Sequence, residues 1–435
     1  MANTIANAYR PQLTSYELDA HSLGDDGQFI VTDPTKSPIA NRPKTVLKVA
    51  LIFSSSKRIL SKLRTFLMSP IIQPTKEFVN TSIDLKSLSR KDAKLQEKIA
   101  AALLEIYKDL KIVFMGTPDF AVPVLEELLK SDFKPKAVIT APDKPAGRGQ
   151  KITPPPVKII AQNHQIPVFQ PETKEDLIKQ TTDLGPDLIV VAAYGKILPK
   201  EILDLPKYGS VNIHPSLLPN YRGPSPIQFA ILNGDSKTGV SIILMNGKMD
   251  EGPILAQEIV EIEKDETAKS LENKLSKIAS KLLIKTLNYW IVFKEMPKSA
   301  RNFILPQQQD DSQAIYTKIL TKEDAKIIWN KTADELDRQI RAFVPWPGSF
   351  TIFKEKTVNE GNEKIKALKI LKANVLELQT KKELGEVFLT DKKELAVQTG
   401  KNCLIIQQLQ IEGGKPMTAQ EFLNGHPEIV GAILE

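Results

Sequence analysis

A single cysteine, Cys403, stands in 435 residues. One thiol supports neither an internal disulfide nor a multi-cysteine metal centre, which fits a reducing compartment. Its apolar run, "CLII", makes it a core residue. Histidine is almost as scarce: His21, His164, His214 and His426 lie far apart and never at H-x-x-x-H spacing, so no metal site is expected. Long apolar runs are missing too, and the first 30 residues lack the basic and then apolar blocks of a secretion signal. Glu17, Asp19, Asp25 and Asp26 stand where transit peptides avoid acids. The expectation is a soluble, cytoplasmic protein with no membrane partner. Neither G-x-G-x-x-G nor G-x-x-x-x-G-K-[ST] occurs, which argues against a dinucleotide cofactor and a nucleotide-hydrolysing P-loop.

What is present is ordinary globular composition, 41% hydrophobic and 26% charged, in a chain long enough for two or three domains. The net charge of +7 hints at an anionic partner. Most of the excess sits in residues 1–110, with 16 Lys+Arg against 11 Asp+Glu, so any basic surface elsewhere must be local. That N-terminal stretch ends in "RKDAKLQEKIAAALLEIYKDL", whose spacing predicts a helix, and contains a basic segment, Lys57 to Met68, that reads mainly as an amphipathic helix on a neighbouring domain.

At residue 111 the character changes. "KIVFM", a turn "GTPDF" and the helical "AVPVLEELLKS" open a β-turn-α pattern repeated by "PKAVIT", "PDLIVVAAYG" and "SVNIH". Alternation of this kind predicts an α/β, doubly wound, mostly parallel sheet with its site at the carboxyl ends of the strands. Gly and Lys punctuate the short alternating runs "KALKILKANVLEL", "ELAVQTG" and "NCLIIQQLQIEG", which predict a small β-barrel or sandwich. The expected division is an unassigned extension at 1–110, an α/β domain at 111–297, a polar linker at 298–314 holding "PQQQDDS", and the barrel domain at 315–435.

The chemistry concentrates in "NIHPSLLPNYRGPSPIQ". Alternate strand residues face one way, so Asn212 and His214 project together, and Pro215 takes the chain out of the sheet immediately afterwards. Two readings of His214 stand: a reactive imidazole at the sheet's rim, or a buried ring satisfied by a backbone carbonyl. Asp250, in "MDEGPIL", reads either as a turn residue or as the acid that folds back to the imidazole. Amide, imidazole and carboxylate would together stabilise an oxyanion and accept a proton, without a protein nucleophile, which suits attack by a substrate amine. Gly116, in "MGTPDF", would allow a phosphate or carboxyl group near a helix start. Lys144, Arg148 and Lys151, among glycines and prolines, form either a solvated loop or a clamp for an anionic substrate.

These segments resemble the methionyl-tRNA formyltransferases over residues 111–435. "NIHPSLLPNYRG" and "MDEGPIL" match the signature motifs of the wider 10-formyltetrahydrofolate transferase superfamily, and "GTPDFAVPVLEEL", "PDKPAGRGQK", "IRAFVPWPG" and "GGKPMTAQEFLNG" resemble landmarks of the tRNA-specific branch. The resemblance implies an OB-like second domain, 10-formyltetrahydrofolate as formyl donor, and the amine of methionyl initiator tRNA as acceptor. It makes Asn212, His214 and Asp250 the catalytic group. It assigns Tyr194, Gly195, Lys196, Ile197 and Leu198, with Ser216, Leu217, Leu218 and Pro219, to the folate. The Lys144, Arg148 and Lys151 loop goes to the tRNA, and Gly116 and Thr117 to the acceptor end. A monomer without metal is expected. Glu251 and Ile328 depart from the family pattern, and residues 1–110 match nothing in it. A small-amine formyltransferase, a formyl-tetrahydrofolate hydrolase and a non-catalytic tRNA-binding relict remain as alternatives.

Overall fold

The computed structural model describes residues 107, 109–146, 149–295, 306–356 and 363–435. The segment Lys57 to Met68, the helix expected before Leu110 apart from Tyr107 and Asp109, Arg148, and linker residues 298–305 lie outside the described residues.

Strand β1 (Ile112–Gly116) is buried along its whole length, as an apolar run covered on both faces must be. Helix α1 (Val122–Lys130) follows, with proline in its first turn and Val124, Leu125 and Leu128 turned inward. Then come β2 (Ala137–Ile139), the short β3 (Lys144–Ala146) and β4 (Lys151–Thr153), α2 (Pro156–Asn163) and β5 (Val168–Phe169). Helix α3 (Lys174–Leu184) starts on a Thr173–Asp176 capping box and stops at Gly185 in the left-handed region. Beyond it lie β6 (Leu188–Ala192), α4 (Lys200–Leu203), β7 (Ser210–His214), α5 (Pro226–Leu232), β8 (Lys237–Leu244), β9 (Ile254–Glu261) and the 28-residue α6 (Ala268–Glu295).

The main sheet runs β5-β2-β1-β6-β7-β8-β9. Its first five strands are parallel, and β8 and β9 return antiparallel. The chain winds outward from β1 in both directions, so the carboxyl ends of β1 and β6 flank the switch point where such sheets bind ligands. The doubly wound, mostly parallel domain is as the sequence pattern implies.

The second domain opens with α7 (Ala333–Phe343), again on a capping box, Thr332–Glu335. Its strands are β10 (Phe350–Lys356), β11 (Glu363–Leu376), β12 (Val387–Leu389), β13 (Leu395–Gln398), β14 (Cys403–Ile411) and β15 (Met417–Thr418), followed by α8 (Ala419–Gly425). They form an antiparallel, barrel-like sheet in the order β10-β11-β14-β13-β12, with β15 on β14. An irregularity between Ile370 and Ala373 bends β11. Cys403 is fully buried here. Helix α7 joins the domains: Arg338 Nε donates to Leu232 O at 3.1 Å and Arg341 Nη1 to Glu266 O at 3.0 Å. Ile328 is exposed, while Trp329 beside it is buried and donates to Thr351 Oγ1 at 3.0 Å.

Candidate active site

Asn212 and His214 end β7, and the register against β6, Val191 to Asn212, sets them level with the strand's exit. His214 is buried, and its Nε2 lies 2.9 Å from the carbonyl oxygen of Tyr221. A carbonyl only accepts, so Nε2 carries a hydrogen and Nδ1 is the ring atom left for another partner. Nδ1 faces Asp250 Oδ2 at 3.6 Å, and Asn212 Nδ2 reaches Asp250 Oδ1 at 3.4 Å. Both separations exceed a good hydrogen bond. The three groups converge without satisfying one another, which leaves donor and acceptor capacity for a ligand between them. One nitrogen of His214 is spent on a carbonyl, and the other faces the acid.

Asp250 is held by its backbone. Its φ is +54°, in the left-handed region that aspartate tolerates better than most residues. Two residues on, a Cβ at Gly252 would lie 1.9 Å from Leu244 O, so only glycine lets the Asp250 loop pass this close to the end of β8. Gly223 N then donates to Asp250 Oδ2 at 2.9 Å, tying the acid to the loop after His214.

That loop is braced from beneath. Ser241 Oγ donates to Ser216 O at 2.6 Å and accepts from Leu218 N at 3.1 Å, and Gln257 Nε2 donates to Leu218 O at 2.9 Å. Ser216 Oγ donates to Asn220 O at 2.6 Å, Leu217 lies over Gly239, and Leu218 packs with Ile243 and Ile254. Ser216, Leu217 and Leu218 thus make contacts with the protein's own scaffold. Burial, and then a hydrogen bond to Asp235 at 2.5 Å, push the Tyr221 phenol up to about 12, so it stays neutral.

The segment after β6 leaves the sheet beside the end of β7. Thr117 Oγ1 donates to Tyr194 O at 3.1 Å and accepts from Ala141 N at 3.4 Å, joining the ends of β1, β6 and β2. Tyr194 is buried with no partner for its hydroxyl, and burial raises its phenol to about 12. Gly195 has positive φ, Lys196 Nζ donates to Pro171 O at 2.9 Å, Ile197 is 86% exposed and Leu198 is buried. At Gly116 a Cβ would meet Ala192 O and Ala121 at 2.9 Å, so internal packing already requires that glycine. Lys144 and Lys151 stand exposed on the antiparallel β3–β4 hairpin, on one face by register. Lys158 pins the hairpin's base, bonding both Asp143 oxygens at 2.8 and 2.9 Å and Gln170 at 2.7 Å.

Composition alone hid a further set of residues. The stretch expected as a linker packs onto the site from Pro306 onward: Arg222, fully buried, donates to Gln309 Oε1 at 3.0 Å, Tyr316 OH at 2.9 Å and Asp311 Oδ1 at 2.6 Å. Tyr316 in turn donates to Glu251 Oε1 at 3.0 Å, and Lys248 pairs with the same carboxylate at 3.0 Å. Lys248 first, and then Tyr316, hold the Glu251 carboxyl below its ordinary range. The one sequence signal was a lone arginine among prolines, which needs acceptors if it is buried.

The comparisons agree with this architecture. The formyl transferase family model matches residues 110–287, and the model for its C-terminal domain matches residues 319–427. A methionyl-tRNA formyltransferase from Citrifermentans bemidjiense is 38% identical over 75% of this chain and 96% of its own. One from Alkaliphilus oremlandii is 41% identical over 75% of this chain and 99% of its own. The chain belongs to the methionyl-tRNA formyltransferase family. Among solved structures, HypX from Aquifex aeolicus in complex with tetrahydrofolic acid aligns with a TM-score of 0.48 at 16% identity, over 74% of this chain and 48% of that one, too remote to carry an argument.

Proposed function

We propose that this chain transfers the formyl group of 10-formyltetrahydrofolate to the α-amine of methionyl initiator tRNA, as a cytoplasmic monomer. The observation that carries the reading is the convergence of Asn212, His214 and Asp250, each with unused hydrogen-bonding capacity, at the carboxyl end of β7.

The folate supplies an activated one-carbon acyl group when bound. The Tyr194–Leu198 segment and the Asp250 loop would hold such a group, with the exposed Ile197 as an apolar contact; the Tyr194 hydroxyl, buried without a partner in the core behind that segment, is an orphaned polar atom beside it. Asn212 Nδ2 and a proton on His214 Nδ1 provide two donors where negative charge develops on a carbonyl oxygen attacked by an amine. Asp250 accepts the proton that the amine sheds, directly or through one water, and as the bond from the formyl carbon to the folate nitrogen breaks that proton would pass to the departing nitrogen. Tyr221 O and Gly223 N hold the imidazole and the carboxylate in register. Lys144, Arg148 and Lys151 contact the tRNA backbone, Gly116 and Thr117 border the acceptor end, and the barrel domain grips the tRNA body.

A small-amine acceptor, a hydrolase and a relict are not favoured, since relatives near 40% identity across both domains carry the tRNA-specific name. Single-turnover formylation tests the roles. Asn212→Ala, His214→Ala and Asp250→Asn should each lose transfer by about 100-fold or more while keeping tRNA affinity; turnover at the parent rate in any of them removes that residue from the catalytic group.

A further inference from the structure

The loop that carries Asp250 turns two carbonyls, those of Asp250 and Gly252, toward the segment that precedes the second domain. Both end on one side chain: Gln309 Nε2 donates to Asp250 O at 2.7 Å and to Gly252 O at 2.8 Å. Its Oε1 accepts from Arg222 Nε at 3.0 Å. Arg222 lies between Tyr221, whose carbonyl holds His214, and Gly223, whose amide holds Asp250. One amide therefore ties together the two loops that carry the ends of the trio. Gln307, two residues earlier, fixes the lever, exchanging backbone hydrogen bonds with Ile254 at 2.7 and 2.9 Å.

We propose that Gln309 is a positioning residue for Asp250: it holds the left-handed backbone at that position and sets where the carboxylate meets His214. The proposal rests on the reading of Asp250 as the proton acceptor given above. Only an amide meets all three demands, since two N–H groups face carbonyls and one oxygen faces a guanidinium. A glutamate keeps the contact with Arg222 but turns an acceptor toward both carbonyls. A methionine keeps the volume and removes every polar contact. The site is thus completed from the connection between the domains, and the acid's alignment depends on how that connection is seated. Misplacing a reacting group by about 1 Å costs on the order of 100-fold in rate.

The test measures kcat and KM for the folate and for methionyl-tRNA in the full chain, for Gln309→Glu and Gln309→Met, each also in the Asp250→Asn background. Thermal melts confirm that each variant is folded, and Gln309→Met serves if Gln309→Glu is not. Expected is a fall in kcat of about 30- to 100-fold in either single variant, with both KM values within about twofold and almost no further loss when Asp250 is already Asn. Parent-like kcat in the folded single variants overturns the proposal. So does a rise in KM alone, which makes the segment a binding element, and so does an equal loss in the Asp250→Asn background, which shows that the effect bypasses Asp250. Full activity of Asp250→Asn by itself would instead remove the reading on which the proposal rests.

Discussion

Arg222 Nη2 and Asp311 Oδ1 meet at 2.6 Å, with the guanidinium at 0% exposure and the carboxylate at 69%. The pair joins the loop after β7 to the segment between the domains. Burial by itself works against the arginine's charge, but Asp311 and Tyr316 outweigh it, so the group is held protonated. The two ends should respond differently to removal. Arg222→Ala loses a fully buried side chain with three hydrogen bonds and should cost about 3 kcal/mol. Asp311→Ala leaves the guanidinium with Gln309 and Tyr316, removes only a largely exposed acid, and should cost about 1 kcal/mol or less. Urea unfolding distinguishes them; equal costs would contradict the picture of a cation anchored from several sides.

The base of the β3–β4 hairpin should weaken in acid. Lys158, and then Gln170, hold the Asp143 carboxyl below its ordinary range. A group whose folded pKa is depressed contributes stability above its unfolded value, and that contribution disappears as pH falls through the folded one. The difference in Tm between the parent and Asp143→Asn should therefore be flat from about pH 8 to 5 and shrink below about pH 4. A difference that grew toward acid would reverse the assignment.

On the proposed reading, Lys144 and Lys151 act together on one face of the hairpin. Replacing both with alanine should weaken tRNA binding and lower the slope of log K against log salt by about 1 to 2. Titration at several salt concentrations checks this, and an unchanged slope would make the hairpin an ordinary solvated loop.

Tyr107 sits three residues before the formyl transferase match begins, yet it is buried, packs on Phe133 with centroids 4.9 Å apart and the rings tilted by 59°, and donates to Asn288 on α6 at 2.9 Å. A chain starting at Leu110 should be less stable by about 2 to 4 kcal/mol than one that keeps Tyr107. Comparing the two by denaturant unfolding decides it.

How much of this was legible in the sequence depends on whether the cause is local. Strand alternation put Asn212 and His214 on one side, and proline fixed where the chain leaves the sheet. Asp250 was legible only through its motif, because the contact that matters is made across the sheet at a separation of 36 residues from His214. Gln309 was hidden, since a run of glutamines and aspartates has the composition of a linker and only tertiary contact reveals that its amide is fully used. At Gly116 the sequence pointed to a ligand but could not show the packing reason, since Ala121 and Ala192, which also demand a glycine there, are brought together only by the fold.

The central claim is acceptor identity. The most direct measurement gives the full chain labelled 10-formyltetrahydrofolate with methionyl initiator tRNA, an amino-sugar nucleotide or a phosphoribosyl glycinamide, and follows the label. The account predicts stable label on the α-amine of the methionyl-tRNA and none on the small amines; label on a small amine with none on the tRNA would contradict it.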